Sequence, residues 1–240
     1  MSDADIPNNP AENKKTAKTI NPINYANRVN VVNAEGPSPA GIPSEAVAAH
    51  PAFRHLSGIA GIAVDLRYAT PDNFAGRDLY GGHDCAWLHR DAAAALERVV
   101  AWLRERRPGV TPLVLDALRP QRVQQQLWDL LDGTGLQMYL ADPARGSIHS
   151  YGMALDVTLL DAAGREFDMG TGFDDMTPRS HPRLERDFLA SGELTPAQVA
   201  NRQLLRDAMA QAGFVGIHTE WWHFDCGDRD VVRQQFSRVL

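Results

Sequence analysis

The segment from Met153 to Leu160 constrains this chain more than any other. Leu155, Val157 and Leu159 alternate there with Ala154, Asp156 and Thr158. Successive side chains on a strand point to opposite faces. The apolar set has to pack on a core, so Asp156 points away from that packing face. Asp161-Ala-Ala-Gly164 then reads as a turn into a second short strand.

The rest of the chain supplies short strands and amphipathic helices around this one. Ile59 to Tyr68 has the apolar and β-branched content of a strand. Residues 71–85 carry Pro71, Gly76, Gly81 and Gly82 and read as loop. Leu96, Val99, Val100 and Leu103 recur at helical spacing between about Leu88 and Arg107, and Pro108-Gly109 ends that helix. Pro112 to Ala117 is a short apolar strand. A second helix follows Arg119-Pro120 and runs to about Asp132. Residues 133–150 and 168–194 read as loops, and a loop as long as the second is usually functional. Thr195-Pro196-Ala197-Gln198 is a helix start with a capping box, and Gly213 marks that helix's stop. Phe214 to Asp225 is β-rich, and the tail from Asp230 reads as a short helix. Helices and strands mix without a βαβ rhythm, which predicts an α+β fold with an antiparallel sheet and flanking helices.

The chain has 240 residues, 44% hydrophobic and 22% charged, with formal net charge −6. An acidic balance argues against nucleic-acid partners, which call for a basic patch. No apolar run approaches the roughly 20 residues that cross a bilayer. Cys85 and Cys226 are the only cysteines, so a disulfide scaffold is excluded. Residues 1–50 are rich in Asn, Pro, Ala and Ser without periodicity. They read as a flexible or loosely attached arm, or a segment wrapped on the surface, ahead of a folded domain at 51–240. The first 22 residues lack the basic and apolar regions of a secretory leader, so the chain as written is expected in the cytoplasm, or in the periplasm if its true start lies upstream.

Two stretches carry chemistry. In Ser147-Ile-His149-Ser-Tyr-Gly152-Met-Ala-Leu-Asp156, Gly152 lets the backbone turn tightly between a histidine and a carboxylate. Both are good zinc ligands. Taken alone, the pair also fits a surface-loop histidine and a strand-edge aspartate. In Glu220-Trp221-Trp222-His223, a regular strand would point Glu220 and His223 to opposite faces. The chain must bulge or turn for both to serve one centre. The alternative is a core aromatic pair with incidental polar neighbours. Against it, the tryptophans imply burial, and a charged glutamate beside them needs a partner. Together the stretches offer three ligands, His149, Asp156 and His223, plus the spare carboxylate of Glu220. A catalytic zinc takes three protein ligands and leaves its fourth position to water, whose pKa it lowers to about 7. Glu220 is then the natural general base.

The pattern S-x-H-x-x-G-x-A-x-D followed by E-W-W-H resembles the zinc D-alanyl-D-alanine dipeptidases. So do Asp65-Leu-Arg-Tyr-Ala-Thr-Pro-Asp-Asn-Phe-Ala-Gly76, Asp116-Ala-Leu-Arg-Pro120, and Met169-Gly-Thr-Gly-Phe-Asp174 followed by Ser180-His181. The resemblance covers about residues 58–225 in consistent order. It implies the dipeptidase and hedgehog-like metallopeptidase fold and one Zn2+ per chain on His149, Asp156 and His223. Glu220 would be base and then acid. Arg119 would stabilise the oxyanion, against a bland reading as a surface ion pair. Asp174 would bind the substrate ammonium, against an Asx turn. Ser147 would hold the substrate carboxylate, against a hydrogen bond within its loop. The partner implied is a small dipeptide, with no nucleic acid and no membrane. Asn73 and Phe74 would help shape the pocket. His83, His89 and His181 read as structural or solvated, His218 as a neighbour of the site at most, and Cys85 and Cys226 as inert thiols. The rivals are a zinc D,D-carboxypeptidase or endopeptidase acting on peptidoglycan stems, and a metal-stabilised binding module without catalysis.

Overall fold

A computed structural model describes residues 40–240. In chain order the elements are β1 (Phe53–His55), β2 (Ala63–Val64), β3 (Trp87–His89), α1 (Arg90–Arg106), β4 (Thr111–Asp116), α2 (Gln121–Leu130), β5 (Ala154–Leu160), α3 (Glu185–Ser191), α4 (Pro196–Gln211), β6 (Phe214–Gly216), β7 (His223–Cys226) and α5 (Arg229–Gln235), with 3-10 turns between them. The main sheet runs β2-β4-β5-β7-β6, and β1 pairs with β3 apart from it. β4–β5, β5–β7 and β6–β7 are antiparallel, and only the β2–β4 edge is parallel. The expected α+β architecture with an antiparallel sheet and flanking helices therefore holds, with one parallel edge.

The alternation of β5 sets the core. Leu155, Val157 and Leu159 share one buried cluster with Ala92, Leu96, Val99 and Leu103 of α1 and Leu205, Ala208 and Met209 of α4. Each leucine, valine and methionine among them contributes about 1.5–3 kcal/mol by burial. Asp156 does leave this packing face, yet it is only 2% exposed. Its side of the sheet is covered, not open surface.

Capping chemistry ends the helices where the residues indicate. Thr195 Oγ1 accepts from the Gln198 amide, and Gln198 Oε1 accepts from the Thr195 amide at 2.8 Å. Gly213, past the end of α4, takes φ 90°. The His89 ring caps α1 by accepting from the Asp91 amide.

Several expectations are corrected. The strand expected over 59–68 shrinks to two residues, flanked by 3-10 turns at Leu56–Gly58 and Arg67–Ala69. It is an edge strand, and the chain leaves the ladder as Arg67 pairs with Asp65, Asp72 and Glu166. The strand expected after the Asp161–Gly164 turn is a single bridge, Leu160 to Glu166. The stretch 168–194 contains α3, whose one buried residue is Glu185. A helix held by an ion pair rather than an apolar face shows no hydrophobic period to read. Part of the expected arm is packed: Ile42 and Val47 are buried with Phe53, Leu118 and Val239. The remainder of that arm lies outside the described residues. Among the described residues, no helix is long and apolar enough to cross a membrane.

Candidate metal centre and substrate crevice

Strand register assembles the centre. Asp116 of β4 pairs with Asp156 of β5, and Asp156 pairs with His223 of β7. Residues directly opposite across strands share a face, so three strands put three polar side chains in one row. β4 shifts register between Val114 and Asp116, and such irregularities re-aim side chains beside functional sites. His149 enters from the 3-10 turn Ile148–Tyr151, which Gly152 closes at φ 64°. A Cβ at Gly152 would meet the His89 backbone nitrogen at 2.7 Å, so glycine is required there twice over.

Three ligand atoms converge. His149 Nε2 lies 3.1 Å from His223 Nδ1. Asp156 Oδ1 lies 3.0 Å from His223 Nδ1 and 3.4 Å from His149 Nε2. The outer nitrogens decide the tautomers. His149 Nδ1 is 2.8 Å from the Ala117 carbonyl, which can only accept, so Nδ1 carries the proton. His223 Nε2 donates to Asp225 Oδ1 at 2.9 Å. Two imidazole lone pairs and a carboxylate oxygen thus face one another with nothing to share but a cation. For bonds of about 2.0–2.2 Å, tetrahedral coordination separates neighbouring donors by about 3.3–3.6 Å. The observed triangle is close to that. Histidines oriented through their second nitrogen are the usual support of a metal site. Burial acts to lower the His223 imidazole, but Asp225 and Asp156 outweigh it and push it up to about 10. The site demands positive charge.

Glu220 stands beside this triangle. The chain leaves the ladder after β6 and rejoins it at His223, so the expected break between Glu220 and His223 is present. Trp221 and Trp222 are 3% and 2% exposed and meet edge to face at 5.3 Å. Burial raises the Glu220 carboxyl to about 7, with Asp156 and Asp225 adding to the rise and His223 and Arg119 opposing it.

Arg119 is buried, not a surface ion pair. Its Nε donates to Asp116 Oδ2 at 2.8 Å, its Nη1 to Gln124 Oε1 at 3.1 Å, and its Nη2 to Asp156 Oδ2 at 3.3 Å. It also stacks over the Tyr68 ring at 5.0 Å. Asp156 thus offers one oxygen to the histidines and the other to Arg119.

Asp174 faces the same crevice. Its Oδ1 accepts from Tyr68 Oη at 2.9 Å, while its buried Oδ2 has no partner. Burial pushes its carboxyl well up, and the Asp156 charge adds to this. Its backbone is left-handed, φ 60°, the only such non-glycine among the described residues. Ser147 is 3% exposed, and its hydroxyl does not cap the turn that follows.

Other expectations resolve simply. Cys85 and Cys226 are free and buried, apart from the triad. His83 and His218 are exposed. Asn73 donates to the carbonyls of Arg67, Thr70 and Arg77 and shapes the loop beside Phe74. His181 is buried and shares a hydrogen bond of 2.9 Å with Tyr139 Oη.

The residue reading missed the supporting groups. Asp225 stands two residues after His223, so strand period alone places both on one face. Asp116 lies in the D-x-x-R-P segment, and Tyr80 Oη donates to it. Tyr68 carried no local signal of its contact with Asp174.

The family model described as D-ala-D-ala dipeptidase matches residues 53–240. The chain is 38% identical over 179 residues to a D-alanyl-D-alanine dipeptidase of Escherichia coli K12, covering 73% of this chain and 86% of that protein. It is 32% identical over 183 residues to one of Streptomyces coelicolor, covering 69% and 86%. It is 30% identical over 194 residues to one of Enterococcus faecalis, covering 74% and 92%. The matched region runs from β1 to the last residue and includes every group placed around the crevice, so this chain belongs to the D-ala-D-ala dipeptidase family of metallopeptidases, peptidase M15.

Proposed function

We propose that this chain is a zinc-dependent dipeptidase that hydrolyses D-Ala-D-Ala to two D-alanines, with its catalytic domain in residues 51–240. The observation that carries the reading is the convergence of His149 Nε2, His223 Nδ1 and Asp156 Oδ1 within 3.4 Å of one another. The donor set of two imidazoles and one carboxylate suits zinc. When bound, zinc would supply an acidified water and polarise the scissile carbonyl.

The chain's own residues do the rest. Glu220, poised near neutrality, takes the proton of the attacking water and returns it to the leaving amine. Arg119 places a fixed positive charge beside Asp156, where negative charge develops on the carbonyl oxygen. One such donor is worth about 3–4 kcal/mol. The free Oδ2 of Asp174 takes the substrate ammonium, and the Ser147 hydroxyl takes the carboxylate. A crevice that grips both ends of a zwitterion selects a dipeptide over a longer stem, and it makes the overall charge of −6 irrelevant to the substrate.

The test is turnover of D-Ala-D-Ala by the purified protein, with chelation and zinc add-back, against a pentapeptide stem. Activity on the dipeptide should vanish on chelation and return with zinc. Faster cleavage of the stem would overturn the dipeptidase reading in favour of a carboxypeptidase. Glu220→Ala should keep zinc near one per chain and abolish turnover. Persistent turnover would remove Glu220 as the base, and absent turnover in the zinc-loaded parent would leave a binding module.

A further inference from the structure

Thr171 stands three residues before Asp174 on the same loop and reaches across to Trp221, the residue after Glu220. Its Oγ1 is 2.9 Å from Trp221 Nε1, 3.3 Å from Arg202 Nη2 and 2.9 Å from Ser180 Oγ. Indole and guanidinium nitrogens only donate, and a hydroxyl has two lone pairs and one proton. Both lone pairs are therefore taken, and the proton goes to Ser180. Ser180, fully buried, then donates to the Asp175 carbonyl at 2.6 Å. The direction of every hydrogen bond in this chain follows. One end is Trp221, next to Glu220, and the other is Asp175, next to Asp174.

The frame behind it is stiff. Arg202 of α4 is 0% exposed. It donates to the carbonyls of Met169 at 2.6 Å and Arg179 at 3.0 Å, and lies over the Trp221 ring at 5.9 Å. It also pairs with Glu185, which Arg206 grips with two hydrogen bonds of 2.7 and 2.8 Å. A Cβ on Gly170 would fall 2.3 Å from Leu194, so that end of the loop is pressed against its neighbour. Asp174 sits at φ 60° inside this frame. A strained backbone of that kind persists only where its surroundings over-determine it.

We propose that Thr171 is a positioning residue whose hydroxyl holds Glu220 and Asp174 in register, acting through Trp221 at one end and through Ser180 and Asp175 at the other. This rests on the roles assigned to Glu220 and Asp174 above. The hydrogen bonds of the Thr171 hydroxyl go to Trp221, Arg202 and Ser180 and to none of the candidate metal ligands, so its loss should move substrate binding and turnover while leaving the metal in place.

The experiment compares zinc-loaded wild type with Thr171→Val, Thr171→Ser and Ser180→Ala. Valine keeps the shape and leaves two buried donors unpaired. KM for D-Ala-D-Ala should rise about tenfold and kcat fall about tenfold, with zinc content unchanged. Serine restores the hydroxyl and should return both constants to within about twofold of wild type. Ser180→Ala cuts only the Asp174 side, so it should raise KM and spare kcat, and it decides the matter if the valine variant does not fold. Amide hydrogen exchange over residues 173–177 gives a readout independent of turnover. It should quicken in the valine and alanine variants and not in the serine variant. Unchanged constants and unchanged exchange in the folded variants would overturn the proposal. Quickened exchange in a wild-type background that never hydrolyses the dipeptide would instead strike the functional reading and leave the joint standing.

Discussion

The crevice has two walls of different construction. The wall that carries the candidate metal triad is built on the sheet. Asp156 and His223 are register partners on β5 and β7, His149 is one turn away, and each is held from behind by Arg119, Asp225 or the Ala117 carbonyl. The opposite wall is built on loops. Asp174 has a left-handed backbone and an unpartnered buried oxygen, and Glu220 holds its proton to about 7. On the first wall the three converging side chains each have a partner behind them. On the second, Asp174 shares one oxygen with Tyr68 and leaves the other buried without a partner. Precision comes from the ladder, and in the proposed function affinity for a small charged ligand comes from the Asp174 oxygen the fold leaves unpaired.

The comparison breaks most severely if the sheet wall fails. Asp156→Asn weakens a ligand and removes the charge that meets the third hydrogen bond of Arg119. Zinc per chain should fall from near one to near zero and turnover should disappear, as metal analysis and the dipeptide assay would show. An Asp156→Asn protein that stayed active and fully metallated would mean that the row of β5 and β7 is not the metal floor.

A smaller effect should come from the loop wall. Asp174→Asn keeps the shape and the acceptor for Tyr68 but removes the charge that meets the ammonium. KM should rise about 10- to 100-fold, as for the loss of a charge-assisted hydrogen bond, with zinc content and kcat changed far less. An unchanged KM would reduce Asp174 to a loop-shaping residue.

The smallest effect sharpens the contrast through stability. The Glu220 carboxyl moves from 4.5 to about 7 on folding. The folded protein therefore binds the proton more tightly than the unfolded chain. Metal-free wild type should lose stability as pH rises from about 4.5 to about 7. Glu220→Gln removes that loss, so this variant, metal-free, should be more stable than wild type by about 2 kcal/mol at pH 8, discounted for partial exposure, and no more stable at pH 4. Denaturant melts at the two pH values measure this. Equal stability at both would show that Glu220 is not held against its charge.

The two walls also differ in how legible they are. The alternation of Leu155, Val157 and Leu159 is local, and it places Asp156 on the far face without reference to any partner. The capping box at Thr195 and the stop at Gly213 are local too, and α4 begins and ends with them. Trp221 and Trp222 announced their own burial, and the two short stretches at 147–156 and 220–223 offered the three candidate ligands. By contrast, α3 shows no apolar stripe because it is held by Glu185 against arginines 17 and 21 residues further on. The packing of Ile42 and Val47 was hidden because their neighbour Val239 lies at the other end of the chain.

What the amino-acid sequence determines alone is therefore the sheet strand, its facing carboxylate and the candidate set of metal ligands, His149, Asp156 and His223. Strand period and turn chemistry act over a few residues and can be read from them. Only the tertiary structure decided that Asp156 lies in a covered crevice, that Arg119 grips it from behind, and that Tyr68 and Thr171 fasten the loops bearing Asp174 and Glu220. Those contacts join residues 37 to 106 positions apart. At such separations position follows from how the whole core packs, and no local period records it.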